Sequence, residues 1–266
     1  MRIFNVSGVQ LEVVQLGTAN TSAPPLVFLH EGLGSVSMWR DWPTQLCEQL
    51  QLQGWVYSRQ GYGQSAATKN VRGRPEIVQG VRQGRLQADY MHHEALTVLP
   101  ELLTELGIHK PVLIGHSDGG TIALIHASHH PVTACIVMAP HVVVEDLSIS
   151  AIEQAREAFT QGPLRERLAK FHADVDGAFW QWNDVWLSDE FRSFDIRQEI
   201  ERITAPLLAI QGEDDAYGTM AQIDNIAQHV PHAQRVKLAA CGHSPHRDQP
   251  AQVNAAMAQF LATLTA

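Results

Sequence analysis

The sequence predicts an α/β fold in which a doubly wound, mostly parallel sheet carries an inserted helical unit. Short continuous apolar runs recur along the chain, and such runs are typical of strands that are buried on both faces of a parallel sheet. Segments with apolar residues at three- and four-residue spacing separate these runs and predict helices. One interval between two runs spans about 60 residues, far more than an ordinary connection, which indicates an insertion.

The predicted strands are taken in chain order. Residues 1–16 alternate apolar and polar side chains around Ser7-Gly8, which predicts an opening hairpin at a sheet edge. Continuous apolar runs place the parallel strands at 26–29, 55–58, 111–115, 134–138, 206–210 and, with a weaker pattern, 235–238. Because helical segments alternate with these runs, the order of elements is that of a doubly wound sheet.

The predicted helices of the main unit lie between the strands. Their apolar periodicity places them at 38–53, 89–107, 119–130, 219–229 and 250–264. Residues 66–88 differ from these segments, because they are polar, contain four arginines and are interrupted by glycine. We expect this stretch to be a long surface loop.

The insertion, residues 141–204, is called the inserted segment below. It divides the expected core into residues 1–140 and 205–266. Its helical pieces are predicted at 151–159, 163–172, 175–187 and 195–203. The segment is therefore expected to be a helical unit that is joined to the sheet at both ends.

Aromatic residues concentrate in one helix of the inserted segment. The side chains of Val175, Phe179, Trp182 and Trp186 share one helical face, and the stripe is read as packing within the segment. Trp180 lies off this stripe. It is therefore our candidate for the roof of a substrate pocket.

The composition excludes several classes of protein. The 266 residues include 19 Lys and Arg against 28 Asp and Glu, a net charge of −9, so the dense basic surface that nucleic-acid binding needs is missing. No apolar stretch reaches the roughly 18 residues of a membrane span, and the N-terminus has no signal-peptide pattern. Three widely spaced cysteines do not make a disulfide framework. We expect a cytoplasmic monomer or homodimer whose partner is a small-molecule substrate.

A nucleophile motif follows the strand predicted at 111–115. Gly115-His116-Ser117-Asp118-Gly119 fits G-x-S-x-G, and it lies between a buried strand and a helix, the context that gives this motif its meaning. In such a turn the serine hydroxyl is exposed at the helix N-terminus, and the flanking positions have no room for side chains. Ser117 is the candidate nucleophile.

A serine nucleophile needs a general base and an acid that orients the base, and both follow later in the chain. Residues 213–215, which follow the strand predicted at 206–210, are Glu-Asp-Asp; Asp215 is favoured, and Glu213 and Asp214 are alternatives. His243 follows the last predicted strand and is the favoured base, with His246 as the alternative. The order Ser, Asp, His brings three strand ends to one edge of the sheet.

These motifs resemble those of the α/β-hydrolase superfamily, and the resemblance covers nearly the whole chain. It rests on residues 30–35 (His-Glu-Gly-Leu-Gly-Ser), 59–65 (Arg-Gln-Gly-Tyr-Gly-Gln-Ser), the serine turn, and the turns at 212–215 and 242–243. The resemblance implies a serine hydrolase with Ser117 as nucleophile, Asp215 as orienting acid and His243 as base. It also implies that residues 141–204 are a helical cap.

The chain departs from the family pattern at two positions. Glu31 stands where the family commonly has glycine after the histidine of its third strand. Gln60 stands where the family commonly has glycine after arginine.

A tetrahedral oxyanion needs two N–H donors aimed at it. Asp118, directly after the nucleophile, supplies one backbone N–H in this interpretation, and Gly32 supplies the other, with Leu33 as the fallback. The Asp118 side chain opposes negative charge unless it points to solvent or pairs with a cation. If it faces the pocket, it selects cationic or hydroxylated substrates.

The sequence predicts neither a metal nor a cofactor. A zinc motif H-E-x-x-H beginning at His30 would need histidine at position 34, where the chain has Gly34. A dinucleotide fingerprint would need a third glycine at position 37, where the chain has Ser37. Leu33, His116 and His141, together with Trp180, are the candidates for substrate contact.

The predicted function is hydrolysis of a small or medium carboxylic ester, thioester or lactone through an acyl-enzyme on Ser117. Two alternatives remain open at the level of sequence. One is hydrolysis of a carbon–carbon bond in a vinylogous diketone, as in meta-cleavage-product hydrolases, which the family resemblance equally permits. The other is a small-molecule-binding protein without catalysis on the same fold.

Overall fold

A computed structural model describes residues 1–17 and 23–264 of the chain. Its strands are β1 (Arg2–Val6), β2 (Val9–Leu16), β3 (Leu26–Leu29), β4 (Gly54–Tyr57), β5 (Glu76–Val78), β6 (Val81–Gln83), β7 (Val112–His116), β8 (Ala134–Met138), β9 (Leu207–Gly212) and β10 (Gln234–Leu238). In the described residues the main sheet has eight strands in the order β1-β2-β4-β3-β7-β8-β9-β10. The strands from β4 to β10 in this order are parallel, and β1 and β2 form the antiparallel edge hairpin. The predicted α/β fold class is confirmed.

The helices connect these strands. They are α1 (Trp42–Leu50), α2 (Tyr90–His93), α3 (Leu99–Glu105), α4 (Asp118–His129), α5 (Asp146–Thr160), α6 (Leu164–Leu168), α7 (Val175–Trp186), α8 (Arg197–Ile200), α9 (Ala221–His229), α10 (Pro245–Asp248) and α11 (Pro250–Ala262). A π-helical turn, Glu94–Val98, joins α2 to α3, so these elements replace the single helix predicted at 89–107. Helices α5 to α8 belong to the inserted segment.

Both faces of the sheet are buried because successive residues of a strand point to opposite faces. On β3, Val27 and Leu29 pack in the layer that holds α2, α3 and α4, whereas Leu26 and Phe28 pack in the layer of α1 and α11. The continuous apolar runs in the sequence follow directly from this two-sided burial.

Residues 66–88 do not form the long loop that we predicted. Strands β5 and β6 pair as an antiparallel hairpin across Gln79-Gly80, whose φ values of 51° and 84° are those of a two-residue hairpin turn. Ile77 is 72% exposed, so the hairpin has no buried apolar face that an alternating pattern could have revealed. The prediction was wrong here for that reason.

The inserted segment lies against the turns that follow the parallel strands. His172 accepts a hydrogen bond from the Gly63 backbone N–H at 3.0 Å and donates to the Leu33 carbonyl at 2.9 Å. Ser148 Oγ donates to the Tyr217 carbonyl at 2.5 Å. These contacts place the inserted segment over the carboxyl edge of the sheet, where α/β proteins bind ligands.

Within residues 1–17 and 23–264, no helix is long and apolar enough to cross a membrane.

Candidate active site

Ser117 occupies a strained turn between β7 and α4. Its φ of 53° and ψ of −120° lie in a region that L residues rarely adopt, and its N–H donates to the Met138 carbonyl at 2.9 Å. A Cβ added to Gly115 would collide with the Gly119 carbonyl, and one added to Gly119 would collide with the Leu29 carbonyl. The two glycines of the motif are therefore required by close backbone approach.

The three strand ends bring Ser117, His243 and Asp215 into one hydrogen-bonded chain. Ser117 Oγ lies 2.9 Å from His243 Nε2. On the other side of the ring, His243 Nδ1 lies 2.8 Å from Asp215 Oδ1 and 2.9 Å from Oδ2. In this geometry the carboxylate accepts a hydrogen bond from the Nδ1 N–H and leaves Nε2 free to take the proton of the serine hydroxyl.

Asp215 is buried and held in place by two further donors. Gln211 Nε2 donates to Oδ2 at 2.6 Å, and the Tyr217 backbone N–H donates to Oδ1 at 2.8 Å. Burial by itself raises the pKa of Asp215, but the hydrogen bond and charge of His243 and the Tyr217 N–H hold that pKa below its ordinary value. Asp215 is therefore an ionised partner for His243.

The alternatives to these residues lie elsewhere. Glu213 and Asp214 have exposed side chains on the turn after β9. His246 is buried, with its ring centroid 4.9 Å from that of Trp39 and 5.1 Å from that of Trp42. Burial holds the pKa of His246 well below its ordinary value, and neither ring nitrogen has a hydrogen-bond partner in the part of the chain that is described.

A family model described as "Alpha/beta hydrolase family" matches residues 26–256, which include Ser117, Asp215 and His243. The chain belongs to the alpha/beta hydrolase family. The strand order of the sheet agrees with that assignment.

Three individual proteins are similar to this chain at low sequence identity. A curated protein of Enterobacter sp. (strain 638), named 2-succinyl-6-hydroxy-2,4-cyclohexadiene-1-carboxylate synthase, is 27% identical over 90% of this chain and 92% of its own. A crystal structure of carboxylesterases from Nitrososphaera gargenis superposes with a TM-score of 0.76, 20% identity and 99% coverage of both chains. The enol-lactonase of Burkholderia xenovorans LB400 superposes with a TM-score of 0.72 and 18% identity, over 98% of this chain and 100% of the other. At these identities the two structures show a shared fold.

The turn after β3 places Gly32 directly beneath Trp182 of α7. A Cβ at Gly32 would overlap the Trp182 indole at Nε1, so glycine is needed here because of the inserted segment above it. Within the described residues neither the Trp182 N–H nor the Gly32 N–H makes a hydrogen bond. Two donors without partners therefore lie side by side in this α/β hydrolase.

Arg59 fixes this turn from below. Its guanidinium donates to the His30 carbonyl at 2.6 Å and to the Glu31 carbonyl at 3.0 Å, directly before Gly32. Arg59 is buried, and Asp118 Oδ2 lies 3.9 Å from its guanidinium. The sequence marked Arg59 as part of a family motif but did not predict this role.

We expect Arg59→Lys to lower the free energy of unfolding by about 1.5–3 kcal/mol, because lysine cannot reach both carbonyls and leaves a buried acceptor without its charged donor. Urea denaturation measures the change. Arg72→Lys is the matched control, since Arg72 is 58% exposed and pairs with Asp184 on the surface. We expect that control to change by less than about 1 kcal/mol. Equal effects of the two substitutions would contradict the role of Arg59 in holding the turn after β3.

The Asp118 side chain does not point to solvent. It is buried and accepts a hydrogen bond from Tyr90 OH at 2.6 Å, and Trp186 Nε1 donates to that same hydroxyl at 2.9 Å. Burial raises the pKa of Asp118 above its ordinary value, although Arg59 and the Tyr90 hydroxyl favour its ionised form. The sequence left two arrangements open for the Asp118 side chain, exposure to solvent or pairing with a cation. The side chain pairs with the cation Arg59.

The other predicted contact residues differ in their distance from the serine turn. The His141 ring centroid lies 5.8 Å from that of His243 and 5.0 Å from that of Trp186; burial lowers the pKa of His141 to about 3, so the ring is neutral. His116 lies beside His243, with ring centroids 5.2 Å apart. Leu33 is partly buried, and its carbonyl is bonded to the inserted segment.

Trp180 is not at the serine turn. Its indole stacks under the Arg72 guanidinium at 4.1 Å and packs edge-on against Phe159 and Phe179. Trp182, which we read as packing within the inserted segment, is the residue that contacts the turn after β3. The apolar stripe of α7 faces the sheet edge, and Trp180 therefore faces away from it.

Tyr217 is a neighbour of the site that the sequence did not indicate. Its ring centroid lies 4.7 Å from that of His243, and its backbone N–H holds Asp215. The signal that could have found it is its position two residues after the acid, since short side-chain to backbone bonds of this spacing are common after aspartate.

A cavity of about 580 Å³ lies beside the β5–β6 hairpin. Arg59, Tyr62 and Tyr90 line its inner wall, and none of the triad candidates Ser117, Asp215 and His243 lines it. The cavity is therefore adjacent to the hydrogen-bonded chain and separate from it.

Proposed function

We propose that this α/β hydrolase is a serine hydrolase that cleaves a small or medium carboxylic ester, thioester or lactone through an acyl-enzyme on Ser117. The observation that carries the proposal is the chain of hydrogen bonds from Ser117 Oγ through the His243 ring to the ionised Asp215, with heavy-atom distances of 2.9 and 2.8 Å. A hydroxyl becomes a useful nucleophile near neutral pH when a base is held at this distance.

The proposed reaction has two halves. His243 Nε2 takes the proton of Ser117 Oγ as the oxygen attacks the carbonyl carbon, and then gives that proton to the leaving oxygen or sulfur as the acyl-enzyme forms. Water, deprotonated by the same ring nitrogen, then attacks the acyl carbon. The acyl-enzyme is cleaved, a carboxylic acid is released and the proton returns to Ser117.

Two backbone donors support this mechanism at the oxyanion. Asp118 is the first residue of α4, so its N–H has no partner within the helix and lies at the positive end of the helix dipole. Gly32 offers a second N–H on the adjacent turn, which Arg59 holds through the two preceding carbonyls. We assign these two N–H groups to the developing negative charge.

We assign the inserted segment to a cap that encloses the reacting carbonyl. Trp182 of α7 covers Gly32, and the His141 ring packs against both His243 and Trp186. Such a cover excludes bulk water from the proposed oxyanion site, which strengthens the electrostatic interactions there.

The Trp182 indole N–H lies beside Gly32, and we assign it as a third donor to the oxyanion. We expect Trp182→Phe to lower kcat/KM for esters by about fivefold to tenfold, the value of one neutral hydrogen bond, because phenylalanine keeps an aromatic ring but loses the indole N–H. Steady-state kinetics with a p-nitrophenyl ester measures it. Trp180→Phe on the same helix is the control and should change kcat/KM by less than about twofold, since Trp180 faces Arg72. Equal losses in both variants would remove the donor role of Trp182.

The proposal is tested by labelling the native protein with a fluorophosphonate and locating the adduct by mass spectrometry. The expected result is one adduct on Ser117, together with turnover of at least one member of a panel of p-nitrophenyl esters, thioesters and lactones. An adduct with turnover confined to a vinylogous diketone would replace ester cleavage with carbon–carbon cleavage. No adduct and no turnover, with ligands still bound, would favour a binding protein.

The relative from Enterobacter is named a synthase, so the relatives are not all named for hydrolysis. Labelling of Ser117 without release of a carboxylic acid from any ester would favour a reaction other than ester hydrolysis.

A further inference from the structure

Two ionisable side chains that the proposed mechanism does not use lie directly behind His243. His116 Nε2 is 2.6 Å from the His243 backbone carbonyl, and His116 Nδ1 is 3.3 Å from Glu31 Oε2. The His116 side chain is 1% exposed, and that of Glu31 is 17% exposed. Glu31 is one of the two residues that depart from the family pattern.

The two partners of His116 determine its protonation. A backbone carbonyl can only accept a hydrogen bond, and an ionised carboxylate also only accepts. Burial raises the pKa of Glu31, but the hydrogen bond and charge of His116 and the charge of Arg247 hold it well below its ordinary value. Both nitrogens of His116 must therefore carry a proton if both contacts are hydrogen bonds.

We propose that Glu31 and a doubly protonated His116 form a positioning pair that holds the His243 backbone, and with it the His243 ring, within reach of Ser117. This inference rests on the proposed function of the Ser117–His243–Asp215 chain. Neither Glu31 nor His116 touches the reacting atoms in this role.

The pair acts through the covalent chain as well as through hydrogen bonds. His116 directly precedes Ser117, so a bond from its ring to the His243 carbonyl ties the nucleophile's turn to the base's turn. The base's turn lies between β10 and α10 and is otherwise held at the Gly242 N–H, which donates to Asp248 Oδ2 at 2.8 Å. A charge-assisted bond is shorter and stronger than a neutral one, which suits the restraint of such a turn.

Other charged and titratable groups surround His116. The ring centroids of His246 and His243 lie 4.9 and 5.2 Å from its own, and Arg247 lies 3.9 Å from Glu31 Oε1 on the far side of the carboxylate. His141 also lies within electrostatic range of His116. Burial lowers the pKa of His246 and of His141, so neither ring adds positive charge beside His116 near neutral pH, and the Glu31 carboxylate is the charged group in hydrogen-bond contact with His116.

The first test reads the protonation state without reference to activity. In a protein labelled with ¹⁵N-histidine, the signals that disappear in His116→Gln belong to His116. We expect these signals at neutral pH to show protons on both ring nitrogens in the wild type and on one nitrogen in Glu31→Gln, whose amide can donate to a neutral ring. A neutral His116 in the wild type would overturn the proposal.

The second test measures the positioning role. We expect Glu31→Ala and His116→Ala each to lower both kcat for a p-nitrophenyl ester and the rate of fluorophosphonate labelling by about tenfold, with KM changed by less than about twofold. His116→Gln should recover part of the loss, since its amide can donate to the His243 carbonyl. The double alanine variant should lose no more than about either single variant, because both substitutions break one unit.

The recovery in His116→Gln and the loss of kcat without a change in KM separate this role from a purely structural one. Glu213→Gln, a change at an exposed acid, is the control and should leave kcat, KM and the labelling rate unchanged. Additive losses in the double variant, or a change in melting temperature alone, would overturn the positioning role. Failure of the wild type to label at Ser117 would instead overturn the proposed function, and the NMR result would then describe a structural ion pair.

Discussion

Ser117→Ala should lower the turnover of any ester substrate by at least about 10³-fold, leaving only the catalysis that binding and the oxyanion donors provide. The substitution removes Oγ and its 2.9 Å contact with His243 Nε2, and it keeps a Cβ at the strained φ of 53°. The turn therefore gains no new backbone strain. The variant loses one hydrogen bond, which lowers the free energy of unfolding by only about 0.5–1.5 kcal/mol, so it should fold.

The control for this prediction is Ser128→Ala on the same helix. Ser128 is also buried, and its hydroxyl donates to the Leu124 carbonyl at 2.8 Å, away from the site. Activity of Ser128→Ala should stay within about twofold of the wild type. If Ser117→Ala retained more than about a tenth of wild-type turnover in an assay corrected for contaminating esterases, Ser117 would not be the nucleophile.

Asp215→Asn should lower kcat by about 10⁴-fold, because an amide cannot replace the carboxylate in fixing the His243 tautomer. The NH₂ group of asparagine would donate to Nδ1, which moves the ring proton to Nε2 and removes the lone pair that faces Ser117 Oγ. Reversing the amide would turn its NH₂ towards the Gln211 or Tyr217 donor instead. Neither orientation restores the wild-type arrangement.

Asp214→Asn is the matched control for this substitution, since Asp214 is the exposed neighbour of Asp215. Its kcat should remain within about twofold of the wild type. Comparable losses in the two variants would mean that the acid has been misassigned.

Stability measurements test the same carboxylate independently. The pKa of Asp215 is below its ordinary value in the folded protein, so its contribution to stability is present above that ordinary value and is lost as the pH falls through the folded-state pKa. The difference in unfolding free energy between wild type and Asp215→Asn should therefore be largest near neutral pH and shrink in strong acid. A difference that is constant with pH would contradict an ionised, hydrogen-bonded Asp215.

The sheet and its helices were predictable because their causes are local. A strand buried on both faces must be apolar at successive positions, and a helix with one buried face must repeat its apolar residues every three or four positions. The hairpin formed by β5 and β6 was missed because three-residue strands without a buried residue carry no such pattern. Its turn residues, Gln79-Gly80, are also a weaker hairpin signal than Asn-Gly or Asp-Gly.

The orientation of α7 was only half predictable. The sequence placed Phe179, Trp182 and Trp186 on one face, and they do share it. What that face covers depends on how the inserted segment lies on the sheet, and contacts such as that of His172 with Gly63 determine this. For this reason the sequence did not show that Trp182, rather than Trp180, contacts the turn after β3.

The sequence by itself determined the α/β architecture and the narrow set of residues from which a nucleophile, an acid and a base must come. Only the tertiary structure decided that Asp215 and His243, rather than their close neighbours, meet Ser117, and that Glu31 and His116 lie behind the base. The physical reason is the separation along the sequence over which each kind of interaction acts. Burial patterns and turn sterics act within a few residues, whereas a hydrogen bond between Ser117 and His243 joins positions 126 residues apart and depends on where three strands end.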